Sequence, residues 1–199
     1  SLRSWQQLIA RAGGRGPMTL GPERLGPGEA ALLPEIKGAY AIYMLRGMMF
    51  DASAPAPDAA FTALLEDFAR QYGGKLVTAR QFETLAERHM TPAMDLDRNH
   101  SLAWFFQPLL AGTSLPVLRF GADAAPADKS GGVQLTFTVD NPEGWHGLLP
   151  VYVFRDRDHY VRGLVPVTQA RNTMTITVPF SPEYVEANHF LDMLLEVKQ

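Results

Sequence analysis

The stretch Lys37-Gly38-Ala39-Tyr40-Ala41-Ile42-Tyr43-Met44-Leu45-Arg46-Gly47-Met48-Met49-Phe50 decides the first half of the fold, because it has the composition of a buried helix. Only Lys37 and Arg46 are charged within it. A helix that is apolar almost all round has to pack against neighbours on several sides. We therefore expect a helix that begins near Glu35, after a glycine- and proline-rich loop that runs to Pro34, inside an array of other helices.

Amphipathic helices are predicted on both sides of this segment. Apolar stripes at helical spacing lie before it and after the loop 51–57, and Gly73-Gly74 ends the second stripe. Thr78, with Gln81 three residues later, is a capping box that opens a further helix. Pro108 lies inside the last helical pattern and should kink or end it. The array thus has about five helices, with stripes at Trp5, Leu8, Ile9 and Ala12, at Phe61, Leu64, Leu65, Phe68 and Tyr72, at Phe82, Leu85, Ala86 and His89, and at 102–106.

The second half of the chain has a period of two instead. Apolar residues alternate with polar ones over 133–139 and 174–178, which is typical of strands with one buried face. We expect further strands at 151–154, 160–167 and 190–197, turns at 141–144, 155–158 and 171–172, and a linker at 122–132. Six or seven short strands at this spacing indicate a β-sandwich. The predicted fold class is α+β, with a helical array over residues 1–114 followed by an antiparallel β-sandwich over 115–199.

The composition excludes several classes of protein. The chain has 199 residues, of which 46% are hydrophobic, and a formal net charge of -3 without an acidic or basic block. A nucleic-acid binder would normally carry a basic face or tail, so we expect no nucleic-acid partner. The lack of cysteine excludes disulfides and thiolate metal sites but leaves both a cytoplasmic and an extracytoplasmic location open. No apolar run reaches the length of about 20 residues that a membrane span needs.

The histidines do not have the spacing of a peptidase zinc site. Such a site needs two histidines one helical turn apart, with a carboxylate beside the metal-bound water. None of the five histidines (His89, His100, His146, His159 and His189) lies four residues from another. We expect His89 at the edge of a buried helical face, and His146 and His159 in solvated turns. Without cysteine or a Gly-x-Ser-x-Gly elbow, a nucleophile is not indicated either, and Trp104-Phe105-Phe106 is interpreted as core.

In this order, the segments resemble the membrane alanyl aminopeptidase family of the gluzincin clan. The segment 35–46 is similar to that family's Tyr-x-Lys-Gly-Ala…Met-Leu signature, and 61–72 and 78–82 are similar to the helix and the Thr-x-x-Asp-Phe motif that follow it. Trp104-Phe105-Phe106-Gln107, with Gly112-Thr113 and Pro116, is similar to the end of its catalytic domain, although Pro108-Leu109 replaces the family's tryptophan. Gly16-Pro17 and Arg24-Leu25 resemble a loop of bacterial members. A β-sandwich commonly follows in this family.

The resemblance implies that this chain is the C-terminal portion of a zinc aminopeptidase. Residues 1–114 would be the helical back half of the catalytic domain, and 115–199 the β-sandwich. The partners would be the upstream half of the same protein, which would hold zinc on a His-Glu-x-x-His helix, and a peptide substrate. The N-terminus, which already reads as helix from Ser1, fits a start within a longer chain. We expect no zinc on these 199 residues and no activity from them alone; the alternative is a non-catalytic peptidase-like scaffold or binding module.

Glu35 is the candidate site residue that the resemblance picks out. The family has a tyrosine there, which donates a hydrogen bond to the oxyanion of the tetrahedral intermediate; one such donor is worth roughly 3 kcal/mol. An ionised glutamate would repel that oxyanion. Three alternatives follow: Glu35 is protonated, Tyr40 or Tyr43 takes the role, or the parent protein is inactive. Tyr40 lies five residues further along the helix and faces another direction.

Overall fold

The computed structural model describes residues 2–12, 32–112, 115–126 and 132–199. Contacts between Cα atoms divide the chain into two compact units, Ser1–Ser114 and Leu115–Gln199. The first unit is helical and the second consists of β-strands, which confirms the predicted α+β class. Within the described residues, no helix is both long and apolar enough to cross a membrane.

Five α-helices build the described part of the first unit, as predicted. A single 3-10 turn, Pro92–Met94, lies between the last two of them. The helices are α1 (Leu2–Ala12), α2 (Leu32–Met49), α3 (Ala59–Tyr72), α4 (Ala79–Glu87) and α5 (Ala103–Ala111). Of the predicted stripe of α1, Ile9 is buried and Trp5 is 37% exposed, while the side chains of Leu8 and Ala12 lie outside the described part.

Helix α2 begins three residues earlier than predicted. It starts at Leu32, so Pro34 lies inside its first turn rather than in the preceding loop. Proline is tolerated there because the first backbone N–H groups of a helix have no partner within the helix. The helix is buried on several sides, as its composition predicts, through Lys37, Tyr40, Ala41, Met44, Leu45, Met48 and Met49. The remainder of the predicted loop, residues 13–31, lies outside the described residues.

Helices α3 and α4 follow the sequence pattern with two exceptions, Leu65 of α3 and Glu83 of α4, which is buried although it lies outside the predicted stripe. Phe61 and Leu64 of α3 are buried, but Leu65 is 42% exposed and does not belong to the buried stripe. Consecutive residues of a helix point in different directions. Leu65 therefore points away from the core, which contacts the side of α3 that carries Phe61 and Leu64. At the start of α4, Gln81 N–H donates to the Thr78 hydroxyl and Thr78 N–H donates to the Gln81 side chain, so the capping box is confirmed.

Pro108 does not end α5, contrary to one of the two predicted outcomes. The helix continues to Ala111, and its C-cap residue Gly112 donates a 2.7 Å hydrogen bond to the Pro108 carbonyl. Pro108 itself cannot donate to the turn before it. Buried side chains on both sides of the proline, Phe105 and Leu109 among them, offset that missing hydrogen bond by packing.

Seven strands in two sheets form the described part of the second unit, residues 115–126 and 132–199. One sheet has the order β5-β2-β1-β7, and the other has the order β4-β3-β6. All neighbours pair antiparallel except β1 and β7, whose three residue pairs run parallel. The strands are β1 (Val117–Pro126), β2 (Val133–Asp140), β3 (Gly147–Phe154), β4 (Tyr160–Val167), β5 (Arg171–Val178), β6 (Tyr184–Ala187) and β7 (Glu196–Lys198).

The parallel pair β1–β7 is an exception in sheets that are otherwise antiparallel, as predicted. The chain leaves β6 in the three-stranded sheet, passes through 188–195, and enters the other sheet beside β1 in the same direction. The alternating pattern of β2 is confirmed, because Leu135, Phe137 and Val139 are buried. Every residue of β3, the central strand of its sheet, is buried.

Three local predictions in this unit were wrong. The predicted strand 190–197 is a strand only at Glu196–Lys198, and β6 was missed. Asn188 holds the intervening loop, because its side chain exchanges hydrogen bonds of 2.9 and 2.8 Å with the backbone of Met193. Arg171 and Asn172 belong to β5, and the turn precedes them. Residues 122–126 of the predicted linker continue β1, while 127–131 lie outside the described part.

Candidate functional site

Glu35, the residue that the sequence singles out, lies in the first turn of α2 and is exposed. A negative charge at this end of a helix is stabilised by the helix dipole. Tyr40, one of its possible substitutes, is fully buried within the helical unit, and its ring meets that of Tyr43 edge-on at 6.0 Å. A buried ring cannot offer its hydroxyl to a substrate, so the position of Tyr40 argues against that substitute. The role of Glu35 itself stays a prediction.

Lys37 is the unusual neighbour of Glu35. It is only 5% exposed, on a helix whose surrounding residues Tyr40 and Ala41 are also buried. Its Nζ donates a hydrogen bond of 3.2 Å to the carbonyl of Gly112, 75 residues along the chain. Burial removes water from the ammonium group and lowers the pKa of Lys37. The sequence identified this lysine as part of a motif but did not indicate its partner.

His89, His100, His159 and His189 each lie beside a carboxylate. His89 follows α4, is partly buried, and its Nε2 lies 2.7 Å from Asp67 of α3. Burial, together with the charges of nearby Arg88 and Arg70, lowers the pKa of His89. His159 and His189 likewise contact one acidic side chain each. In the described residues, no group of three or more potential metal ligands comes together.

A buried polar network, which sequence reasoning missed, lies on the three-stranded sheet. The Tyr152 hydroxyl donates to the carboxylate of Asp192 and accepts a 3.0 Å hydrogen bond from Nε of Arg162. Arg162 lies directly opposite Tyr152 in the pairing of β3 with β4. Burial, and then the Asp192 carboxylate, raise the pKa of Tyr152 well above that of a free tyrosine. The hydroxyl therefore stays protonated at neutral pH, as a hydrogen-bond donor and not as a base.

Aromatic side chains surround this network. Phe190 meets the Tyr152 ring edge-on at 5.0 Å, and Tyr184 stacks on Phe154 at 4.4 Å. Tyr160 and Phe190 remain 45% and 40% exposed. The register explains the cluster, because Phe154 pairs with Tyr160 on one side and with Tyr184 on the other, so all three project from the same face. One signal was available in the sequence: Asp192 is the single charge in the apolar run 190–195.

A groove of about 340 Å³ opens between the edges of the two sheets. Small side chains of β1, Ala122 and Ala124, line one wall, and Tyr184 and Val185 of β6 line the other. β7 pairs with β1 only as far as Arg119, so it does not cover this part of the strand. The lining has no group of metal ligands or nucleophiles, and we assign no chemistry to it.

The comparisons with known proteins give a similarity of fold. The sequence matches no protein-family model and no curated protein. Among solved structures, the chain is similar to Legionella pneumophila aminopeptidase A, crystallised in complex with aspartic acid, with a TM-score of 0.63 and 11% sequence identity. The match covers 98% of this chain and 21% of that chain, so the present chain spans about a fifth of that aminopeptidase. The chain is therefore similar in fold to a part of that aminopeptidase.

Proposed function

We propose that this chain is part of a zinc-dependent aminopeptidase of the gluzincin type, which hydrolyses the N-terminal peptide bond of its substrate. The observation that carries the proposal is the similarity of fold to an aminopeptidase over 98% of the chain. In this proposal the helical unit is the back half of the catalytic domain, and the β-unit is the domain that follows. The zinc ligands lie in the upstream part of the protein, where zinc activates the attacking water.

The contribution of this chain to catalysis centres on the first turn of α2. Peptide hydrolysis develops negative charge on the carbonyl oxygen, and a hydrogen-bond donor aimed at that oxygen lowers the barrier. Glu35 is exposed on this turn and can donate only when it is protonated. A protonated Glu35 close to the metal would supply the donor, whereas an ionised Glu35 would oppose the reaction.

The second candidate is a peptidase-like scaffold that binds a partner without hydrolysis. Glu35 favours it, because an acidic residue at the position that resembles the family's oxyanion tyrosine is unfavourable for catalysis when ionised. In that case the fold would be retained for assembly, and zinc would be unnecessary. The two candidates differ in metal content and in activity, and both quantities can be measured.

The deciding experiment uses the full-length protein from its natural gene. We expect hydrolysis of aminoacyl-4-nitroanilides that is lost on chelation and restored by zinc, with one zinc bound per chain. The 199-residue chain alone is the control, and we expect neither stoichiometric zinc nor hydrolysis from it. Absence of hydrolysis, together with absence of an upstream His-Glu-x-x-His helix, would reject the aminopeptidase. Stoichiometric zinc on the 199-residue chain would reject the assignment of the zinc ligands to the upstream part.

A further inference from the structure

Lys37 is in an environment that disfavours it. Lysine is almost never fully buried unless its ammonium group is paired, yet Lys37 is 5% exposed. Taking the charge out of water has a cost that a methionine or leucine at this site would avoid. The apolar surroundings on α2, such as Tyr40 and Met44, do not repay that cost by themselves. A residue that breaks the local rule in this way is expected to have a function beyond packing.

The partner of Lys37 is the end of another helix. Gly112 is the C-cap residue of α5, and its carbonyl accepts the 3.2 Å hydrogen bond from Nζ. The last carbonyls of a helix lack donors within the helix and carry the negative end of its dipole. A buried ammonium group at this point therefore donates a hydrogen bond to the Gly112 carbonyl and also balances the negative end of the α5 dipole. The contact joins the first half of α2 to the C-cap residue of α5.

The acceptor is held in place by its own surroundings. A Cβ atom at Gly112 would come within 2.2 Å of the Pro108 carbonyl oxygen, so any other residue would have to shift the backbone. Gly112 N–H donates to that same oxygen at 2.7 Å. The carbonyl that Lys37 binds is thus fixed relative to α5. A fixed acceptor makes the lysine a rigid link and not an adaptable surface contact.

We propose that Lys37 is a positioning residue: its hydrogen bond to Gly112 fixes the first turn of α2, and with it Glu35, against the end of α5. Glu35 precedes Lys37 by two residues, about half a helical turn, on the exposed side. The structural part concerns the 199-residue chain alone. The consequence for catalysis rests on the proposed function, because it assumes that the group at position 35 faces the substrate.

Hydrogen exchange on the 199-residue chain tests the structural part. Lys37→Met keeps the bulk but removes the donor, and we expect the amides of residues 36–40 to exchange about tenfold faster while those of α3 and α4 are unchanged. Lys37→Arg, which can still donate to Gly112, should restore most of the protection. Unchanged exchange at 36–40 in Lys37→Met, or an equal increase throughout the helical unit, would overturn the proposal.

A second variant changes Gly112, the acceptor of the same hydrogen bond. Gly112→Ala must displace the C-cap of α5, so it should speed exchange at residues 36–40 even though it lies far from them in sequence. If Lys37→Met fails to fold, hydrogen exchange at residues 36–40 in Gly112→Ala and in Lys37→Arg still tests the proposal. Fast exchange that is confined to α5 in Gly112→Ala would contradict a link between the two helices.

The catalytic part is measured separately in the full-length protein. In the full-length protein carrying Glu35→Tyr, which has a hydrogen-bond donor at position 35, Lys37→Met should lower kcat for an aminoacyl-4-nitroanilide about tenfold with KM unchanged, since a displaced donor affects only the transition state. Lys37→Arg should recover most of kcat. An inactive full-length protein would reject the proposed function but leave the exchange result standing. Altered exchange with unaltered kcat would show that position 35 does not act in the reaction.

Discussion

The hydroxyl of Tyr152 donates a hydrogen bond to the carboxylate of Asp192, 40 residues further along the chain, and both residues are more than nine-tenths buried. Arg162 donates to the same hydroxyl from the neighbouring strand, and its Nη2 is buried without a hydrogen-bond partner among the described residues. Tyr152 therefore links the loop that leads out of β6 to the centre of the three-stranded sheet. Its contribution to stability can be measured directly.

Tyr152→Phe should lower the free energy of unfolding by about 2 kcal/mol, because the buried carboxylate of Asp192 loses its donor. The ring remains, so its packing against Phe190 is retained. Urea unfolding of both proteins measures the difference. Tyr160→Phe is the matched control, since Tyr160 is 45% exposed, and it should change stability by less than about 0.5 kcal/mol. Equal effects from the two substitutions would contradict the role of the Tyr152 hydroxyl.

Stability should fall steeply at alkaline pH. Because the pKa of Tyr152 is raised in the folded protein, its contribution is complete below the unfolded value of about 10 and is lost progressively as the pH rises above it. Ultraviolet absorbance should show the exposed tyrosines ionising first and Tyr152 only with unfolding. In Tyr152→Phe the alkaline loss of stability should be smaller. A Tyr152 that ionises together with the exposed tyrosines in the folded protein would contradict this prediction.

Replacing Glu83 of α4 by glutamine should stabilise the protein, whereas replacing Glu87 of the same helix should destabilise it. Burial, and then the charge of Glu87 four residues on, raise the pKa of Glu83. Glu83→Gln should therefore stabilise the protein at neutral pH by about 0.5 kcal/mol or more. Its advantage should shrink as the pH falls through the raised pKa and vanish below the unfolded value of about 4.5, where wild-type Glu83 is protonated in both states.

Glu87→Gln is the matched control for this pair. The Glu87 carboxylate accepts 3.0 Å hydrogen bonds from the Ser101 hydroxyl and from the Leu102 N–H at the start of α5. Charge-assisted hydrogen bonds of this kind are stronger than neutral ones, so Glu87→Gln should destabilise by about 1 kcal/mol. Chemical unfolding at neutral and acidic pH compares the two variants. Effects of the same sign would show that burial of Glu83 is not the dominant factor.

The capping box at the start of α4 should contribute about 1 kcal/mol. Thr78→Ala removes the hydroxyl that accepts from Gln81 N–H at 3.3 Å. The control is Thr62→Ala on the exposed face of α3, where alanine is the better helix former and stability should be unchanged or slightly higher. Thermal unfolding of the two variants provides the comparison. A loss in Thr62→Ala as large as that in Thr78→Ala would contradict a specific capping effect.

Glu35→Tyr tests the proposed function at a single residue. In the full-length protein, a tyrosine there would supply a hydrogen-bond donor at every pH below its own pKa, so kcat should rise about 100-fold or more at neutral pH. Glu35→Gln, which also removes the charge, is the control and should give a smaller gain. If the protein hydrolyses aminoacyl-4-nitroanilides and neither substitution changes kcat, position 35 takes no part in the reaction.

Much of the fold could be predicted because it depends on local patterns. The composition of α2, the Thr78 capping box and the alternation along β2 each reflect a requirement of one helix or strand, and all three predictions were confirmed. The errors lie where contacts between elements compete with a local signal. Pro108 is accommodated because residues around it are buried, and the run 190–195 reads as a strand but is bent by Asn188.

The sequence by itself determined the α+β class, the placement of five helices, and the absence of a histidine pair with zinc-site spacing. Only the tertiary structure decided which polar groups meet: Lys37 with Gly112 across 75 residues, and Tyr152 with Asp192 across 40. The physical reason is that periodicity and capping act within a few residues, whereas a buried donor finds its acceptor only after whole helices and strands have packed.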